Sequence, residues 1–455
     1  MKSLIKNSIA AFVFVSSFAL SGWIQAGLTE EQVARLGSDL TPTGGEKAGN
    51  AEGTIPEWTG GITAPPPGFQ AGQHLVDPFA GDEPLFVITA ENVDQYQSNL
   101  SVGHQQLLRT YPTFTMNVYP SRRSASLPQR IYDATRQIAA TAELVDDGNG
   151  ISCAVIGTPF PIPKNGVEAI WNHLLRYRGE TIKRTFGQAA VTRGGAYTVF
   201  TATDEGIFNY SLPGMTEDQL NNTMVYYKQE AIAPPRLAGG IILAHETLNR
   251  VAEPRRAWIY SPGQRRVRRA PDVGYDTPAT SADNLRTYDQ FDMFNGAVDR
   301  YNWELVGKKE LFVPYNSYRL GSDSLDFSDI LTPFHPNPEH LRYELHRVWV
   351  VEATLKEGAQ HVYKRRTFYI DEDSWQVAVV DLYDNRDQFY RVSEGHAVNF
   401  YQNPLTWLTL VVHYDLQSGR YVANFLGNEY EPVQFGVELF PTEFTPAALR
   451  RQGKR

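Results

Sequence analysis

The densest group of chemically capable side chains is a run of arginines. Arg250, Arg255, Arg256, Arg265, Arg266, Arg268 and Arg269 fall within twenty residues, opposed only by Glu246 at the edge and by Glu253. Guanidinium groups stay charged and grip carboxylate or phosphate through two parallel hydrogen bonds. SerProGlyGln at 261–264 is a turn signal, so the run folds into a hairpin. On its second strand Arg265, Val267 and Arg269 face one way, and Arg266, Arg268 and Ala270 the other. Two readings follow. Arg266 and Arg268 sit at a cavity mouth and hold an anionic headgroup or meet an anionic partner, or the arginines pair with the chain's own surplus acids on a solvated surface. Trp258 and Tyr260 share one face of the first strand. With Tyr343 and Trp349 they are candidates to line an apolar pocket, ordinary core packing being the alternative.

Other chemistry is sparse. His335, His340 and His346 are spaced by five and six residues, which matches no metal motif, and a HisGluXaaXaaHis helix is absent. No nucleophile elbow, Walker loop or dinucleotide fingerprint occurs. AspGluAsp at 371–373 lies between two strands and reads as a surface turn rather than a calcium or paired-carboxylate site. Cys153, among Ile151, Ala154, Val155 and Ile156, reads as a buried, inert thiol. The expectation is a chain with no metal, no cofactor and no enzymatic activity, although sites built from distant residues leave no local trace.

The elements that must position these residues change character along the chain. Thr29 with Gln32 has capping-box spacing, and Gly37 ends that short helix. Residues 41–84 are dense in Gly and Pro, yet Ile55, Trp58, Ile62 and Phe69 recur as anchors, which favours an ordered strap over a disordered linker. Helices are predicted over 89–110, 127–144 and 166–178 from apolar spacings of three and four. From about residue 180 the period becomes two. Strands are predicted over 182–202, 223–230, 241–249, 255–270 (as the hairpin), 299–313, 341–356, 361–370, 374–383, 387–392, 407–416 and 420–427. No βαβ alternation appears, so the sheet should be antiparallel.

Along 341–355, Leu341, Tyr343, Leu345, Trp349, Val351, Ala353 and Leu355 form one apolar face, interrupted by Arg347, and the other face is mixed. Such a sheet must be covered or must curl on itself. The fold class is therefore α+β: a large curved antiparallel sheet or incomplete β-barrel, with helices covering the concave side. Residues 27–84 form the helix and strap, and 85–455 a single half-barrel domain.

Compartment and partners follow from the ends and the charge. Lys2 and Lys6, the apolar run Ile9 to Leu20, and Ala26 form a secretory signal peptide over 1–26, too short in its apolar part to span a bilayer. No cysteine follows it to carry a lipid anchor, so a soluble periplasmic protein is expected, not an integral membrane one. A net charge of −9 argues against nucleic acid. The 24 Tyr, 23 Phe and 8 Trp suit wide sheets and apolar pockets.

Four stretches carry a family resemblance: LTPTGGEKAGNAEGTIPEWTGG (40–61), RRAWIYSPGQRRVRRAPDVGYDTP (255–278), FDMFNGAVDRYNWELVGKKELFVPYN (291–316) and ELHRVWVVEATLKEGAQHVYKRRTFYIDEDSWQVAVVDLYD (344–384). They resemble the domain-of-unknown-function family 1329. The resemblance implies grouping with the LolA/LolB lipoprotein carriers, whose fold is an incomplete antiparallel barrel holding a hydrophobic cavity under helices. It further implies work beside an RND-type exporter and an outer-membrane protein. The expected function is then a soluble periplasmic carrier or accessory protein for a hydrophobic, lipid-like ligand. A scaffolding module of an export complex and a lipid-acting envelope hydrolase are the alternatives.

Overall fold

The computed structural model describes residues 27–270 and 276–453, so the leader expected over 1–26 lies outside the described residues. Helix α1 (Glu30–Arg35) begins as the spacing predicts. The Thr29 hydroxyl accepts from the Gln32 amide, the Gln32 side chain accepts from the Thr29 amide, and Gly37 turns away at φ 85°. The strap over 41–84 has no long regular element, but its anchors are fixed. Ile55 is buried, the Trp58 indole donates to the Ala125 carbonyl at 3.0 Å, and Ile62 and Phe69 pack against the largest core.

After the strap come β1 (Phe86–Ile88), α2 (Val102–Thr110), β2 (Met116–Tyr119), α3 (Gln129–Ile138), β3 (Glu143–Val145), β4 (Gly150–Ser152) and α4 (Gly166–Leu175). Two helices are shorter than the periodicity predicts. The α-helix begins only at 102 because Ser101 caps it, accepting from the His104 amide. Beyond α3, residues 143–145 leave the helix to pair with 150–152 around a turn in which Asp146, Asp147 and Gly148 all take positive φ. Cys153 is exposed rather than buried. It follows β4 at φ 53°, and its amide donates to Glu217 at 2.6 Å.

The long strands are β5 (Thr181–Val191), β6 (Val199–Phe208), β7 (Thr223–Ala233), β8 (Ile241–Thr247), β9 (Arg256–Ser261), β10 (Arg266–Arg269), β11 (Tyr301–Pro314), β12 (Tyr343–Leu355), β13 (Arg365–Asp371), β14 (Val377–Tyr383), β15 (Phe389–Asn399), β16 (Thr406–Asp415) and β17 (Arg420–Leu426). The segment 182–202 is two strands, because ArgGlyGly at 193–195 makes a turn closed by the Thr192 amide on the Ala196 carbonyl. Short α5 (Glu217–Leu220) and α6 (Phe327–Ile330) interrupt the series, and β18 (Gln434–Phe435) and α7 (Pro446–Gln452) end it.

Among the described residues sixteen strands join in one sheet with the path β1-β2-β12-β13-β14-β15-β16-β17-β5-β6-β7-β8-β9-β10, β11 and β18 branching from β12 and β5. The pairing is antiparallel except where β2 meets β12 in parallel, Tyr343 opposite Val118. The end strands β1 and β10 do not pair with each other, so the sheet is curled but unclosed. Register shifts, such as those at Thr201/Ala202 and Asn424/Leu426, bend the strands.

Both faces are covered over half of the sheet. On β14, Val380 and Leu382 join the core that holds α4, whereas Val379 on the opposite face joins the core that holds α2. The apolar stripe of β12 is divided in the same way. Tyr343 lies in the α2 core, and Val351 and Ala353 in the α4 core, because a long strand in a coiled sheet carries its two ends to different neighbours. Most of the mixed face of β12 is covered too: Glu344, His346, Val348 and Val350 are all buried, and only its far end, at Glu352 and Thr354, reaches solvent.

The AspGluAsp turn also departs from expectation. Asp371, Glu372 and Asp373 are 1%, 2% and 6% exposed, because the strap lies across them. Arg123 grips Asp373 with two bonds of 2.8 and 2.6 Å, and Lys308 reaches Glu372 at 2.7 Å.

Candidate functional site

The α4 core face is filled by α4 and the strap over β11 to β16 but left open over β5 to β9. There a hollow of about 910 Å³ lies between the sheet and residues 281–295. Strand alternation supplies its wall. Ile182 comes from β5, Phe200 and Phe208 from β6, Val225 and Tyr227 from β7, Ile242 and Ala244 from β8, and Ala257 and Ile259 from β9. Phe200, Tyr227, Ile242 and Ala257 are only half-buried, as side chains facing unfilled space must be. A second cleft, about 1160 Å³, lies between the strap and residues 428–432. It is lined by His74, Asp77, Arg319, Asp323, Asn428 and Glu429, and so is poorly suited to a greasy occupant.

The floor of the hollow is built on a strained residue. The register shift between Asn424 and Leu426 leaves Phe425 as the extra residue of β17, at φ 72°, a conformation rare for a bulky side chain. Its ring meets Phe186 and Phe291 edge-on, each at 5.3 Å. The Arg184 guanidinium lies 3.9 Å from the centre of the Phe425 ring. Arg184 also donates to Asp204 at 3.1 Å, and Asp204 accepts from the Tyr227 hydroxyl at 2.7 Å and from Gln229 at 3.0 Å. Burial pushes the Asp204 carboxyl above its ordinary range in spite of these partners, and burial with Asp204 beside it pushes the Tyr227 hydroxyl well up.

Charge around the hollow is unequal. Six arginines and four carboxylates line it, with no lysine or histidine among the described residues. Every carboxylate is engaged. Asp204 holds Arg184, Asp283 holds Arg420, and Glu246 holds Arg255 at 2.6 Å. Asp292 takes both Arg176 and Arg178 at 2.6 Å, and against the burial that would raise it these two cations hold it at about 2. The lining thus offers an apolar wall and firmly held polar groups. Each of its four carboxylates lies within ion-pair distance of an arginine.

The six residues singled out from sequence do not converge on this hollow, and none lines it. Trp258 and Tyr260 are on the opposite face of β9, under α7, where the Tyr260 hydroxyl donates to the Gly453 carbonyl at 2.5 Å. The alternating residues of the strand, Ala257 and Ile259, face the hollow instead. Arg266 and Arg268 are exposed on the end strand. Arg268 stands opposite Ile259 in the ladder, so the pair shares the hollow's side of the sheet, one strand beyond its wall. Elsewhere in the arginine run, Arg250 and Arg255 reach Glu246, and Arg256 reaches Glu253, so part of it does pair with the chain's own acids. Tyr343 is fully buried far along the sheet, donating to Glu394 at 2.9 Å, and Trp349 stacks on Trp375 at 6.1 Å.

Phe200, Tyr227, Phe291, Phe425, Arg184 and Arg286 were not foreseen as lining. The alternation of Phe200 and Phe208 was a usable signal once β6 is separated from β5, whereas the Phe425 bulge left none. His346, Asp371 and Asp373 bring three donor atoms within 4.8 Å of one another, a grouping invisible in the spacing. There Arg123 holds Asp373, and the Tyr315 and Ser374 hydroxyls donate to Asp371, at 3.3 and 2.5 Å.

These features define an open, curled antiparallel sheet with helices on both faces and an apolar hollow over its less covered half. The profile of the family described as "Protein of unknown function (DUF1329)" matches residues 87–450, and the chain belongs to that family. It is 46% identical over 438 residues to an uncharacterized protein of Pseudomonas aeruginosa, with 96% of each chain covered. Among solved structures it is similar to a DUF1329 family protein from Desulfovibrio piger, at 14% identity and a TM-score of 0.43, over 62% of this chain and 95% of that one. A LolA superfamily protein from Nitrosomonas europaea is similar at 11% identity and a TM-score of 0.37, over 62% of this chain and 98% of the other. No described helix is long and apolar enough to cross a membrane.

Proposed function

We propose that this protein is a periplasmic carrier that holds a hydrophobic, lipid-like ligand in the hollow over β5 to β9. One observation carries the reading: a hollow of about 910 Å³ walled by half-buried apolar and aromatic side chains. That volume lies at the upper end of the roughly 300–1,000 Å³ usual for small-molecule sites. The engaged state of all four lining carboxylates favours binding over catalysis. The leader pattern over 1–26 supports export, and the family resemblance supports work beside an RND-type exporter and an outer-membrane partner.

The test is native mass spectrometry of gently purified protein, followed by solvent extraction. A discrete excess mass that organic solvent removes is expected. A bare polypeptide that also fails to take up a fluorescent long-chain probe would count decisively against a carrier.

A further inference from the structure

Ten arginines are buried among the described residues, and nine of them have a carboxylate within ion-pair distance. Arg286 is the exception. It is 6% exposed, lines the hollow, and forms no ion pair among the described residues. Its guanidinium donates to the Thr287 carbonyl and to Gln188 Oε1, both at a long 3.3 Å, and its Nε has no hydrogen-bond partner. The Phe291 ring centre is 5.9 Å away, at the outer limit of a cation–π contact. Burial draws the Arg286 guanidinium below the ordinary arginine range. Across the hollow, Arg178 moves up, because Tyr210 and Asp292 outweigh its burial.

An uncompensated buried charge is costly, and native structures avoid one unless something supplies the counter-charge. The lining that Arg286 shares is mainly apolar, with Phe200, Tyr227 and Phe291 in it. A free inorganic anion would satisfy the guanidinium and leave that wall wet. A neutral hydrocarbon would fill the wall and leave the charge alone. We infer that the hollow selects an anionic amphiphile, whose carboxylate or phosphate headgroup is gripped by Arg286 while its chain lies along the aromatic wall. This rests on the carrier reading and names the chemical class of the cargo.

Delipidated protein is titrated with dodecanoate, dodecyl phosphate and dodecanol, which share one chain and differ in the headgroup. Acetate and inorganic phosphate serve as headgroups without a chain. Wild type should hold at least one anionic amphiphile ten- to a hundredfold more tightly than dodecanol, the range expected of charge-assisted hydrogen bonds. Arg286→Gln should abolish that preference and leave dodecanol binding within about threefold. Arg286→Lys keeps the charge but not the fork, and should retain part of the preference.

Equal affinity for all three chains in wild type would overturn the headgroup assignment while leaving the carrier reading intact. A preference that survives in Arg286→Gln would do the same. Acetate or phosphate binding as tightly as the amphiphiles would mark a site for a free anion and end the inference. Failure of every chain to bind would remove the carrier reading itself. Should Arg286→Gln not fold, Arg286→Lys decides, an undiminished preference being the adverse result.

Discussion

Replacing Arg123 by alanine should release the strap from the sheet, and the expected cost can be worked out bond by bond. The side chain is 2% exposed and makes a bidentate grip on Asp373 at 2.8 and 2.6 Å. It also donates to the strap carbonyls of Glu46 at 2.7 Å, Lys47 at 3.1 Å and Pro56 at 3.3 Å. Glu372 keeps Lys308 and Arg347 in the variant, but Asp373 loses its only ion-pair partner among the described residues. Stranding one member of a buried pair costs about 3–5 kcal/mol. The freed strap carbonyls can turn to water, so they add little.

A loss near 4 kcal/mol is expected, about a thousandfold in the folded-to-unfolded ratio. The pH dependence tests the cause. Burial, and then repulsion from Asp373, already pushes the Asp371 and Glu372 carboxyls up, and removing a cation pushes them further. A carboxylate whose folded pKa is raised destabilises above that pKa and does nothing below its unfolded value, so the deficit should shrink as pH falls towards 4. Urea unfolding at pH 7 and pH 4.5, with limited proteolysis across 41–84, measures both effects. A loss under about 1 kcal/mol, or one identical at the two pH values, would refute the argument.

Two further outcomes follow from the same geometry. Ala257→Phe places a ring into the hollow from β9, so uptake of a long-chain probe should fall at least tenfold while the unfolding free energy stays within about 0.5 kcal/mol of wild type; unaltered uptake would move the site elsewhere. Burial first, then Arg176, depresses His173 to about 3, so the unfolded chain binds its proton first as pH falls. Stability should therefore drop between pH 6.5 and 3 by about 4 kcal/mol from this residue, with Asp292 adding its loss from 3.8 down to about 2. His173→Gln should remove close to one proton from that slope, and a slope unaltered by the substitution would contradict the assignment.

Sequence reasoning recovered the parts of the fold that periodicity governs. Most strands from β7 to β17, the hairpin at 261–264 and the α1 cap emerge close to expectation because each is set by local alternation or by turn chemistry; β15, expected over 387–392, runs on to Asn399. It went astray where distant chain decides burial. AspGluAsp at 371–373 reads as surface until the strap, more than three hundred residues earlier, is laid over it. Cys153 reads as buried from its apolar neighbours, yet a left-handed backbone and a bond to Glu217 turn it out. The candidate pocket residues show a subtler limit: Trp258 and Tyr260 lie on β9 but on the face away from the hollow, which Ala257 and Ile259 line instead. Large aromatic side chains fill cores, and a cavity is lined where side chains are small or half-covered.

That contrast bears on how a ligand reaches the hollow. The cover over 281–295 is held by buried ion pairs: Asp289 with Arg366 at 2.6 Å, and Asp292 with Arg176 and Arg178. Lifting it would break pairs worth about 3–5 kcal/mol each when stranded, so it is a poor door. The wall at β9 is different. Ile259 is 37% exposed, and among the described residues the β9–β10 hairpin joins the sheet through β8 alone, with β10 at the end of the strand order. What holds that margin is the β8 ladder and the small cluster under α7 around Tyr260, so opening it strands none of the ion pairs that hold the cover. Exposed Arg266 and Arg268 stand on that margin, on the hollow's side of the sheet, where an anionic amphiphile would meet them before it meets Arg286. On the proposed reading, Arg266 and Arg268 would serve the approach and Arg286 the seat, whereas Arg250, Arg255 and Arg256 of the same run are taken up by Glu246 and Glu253.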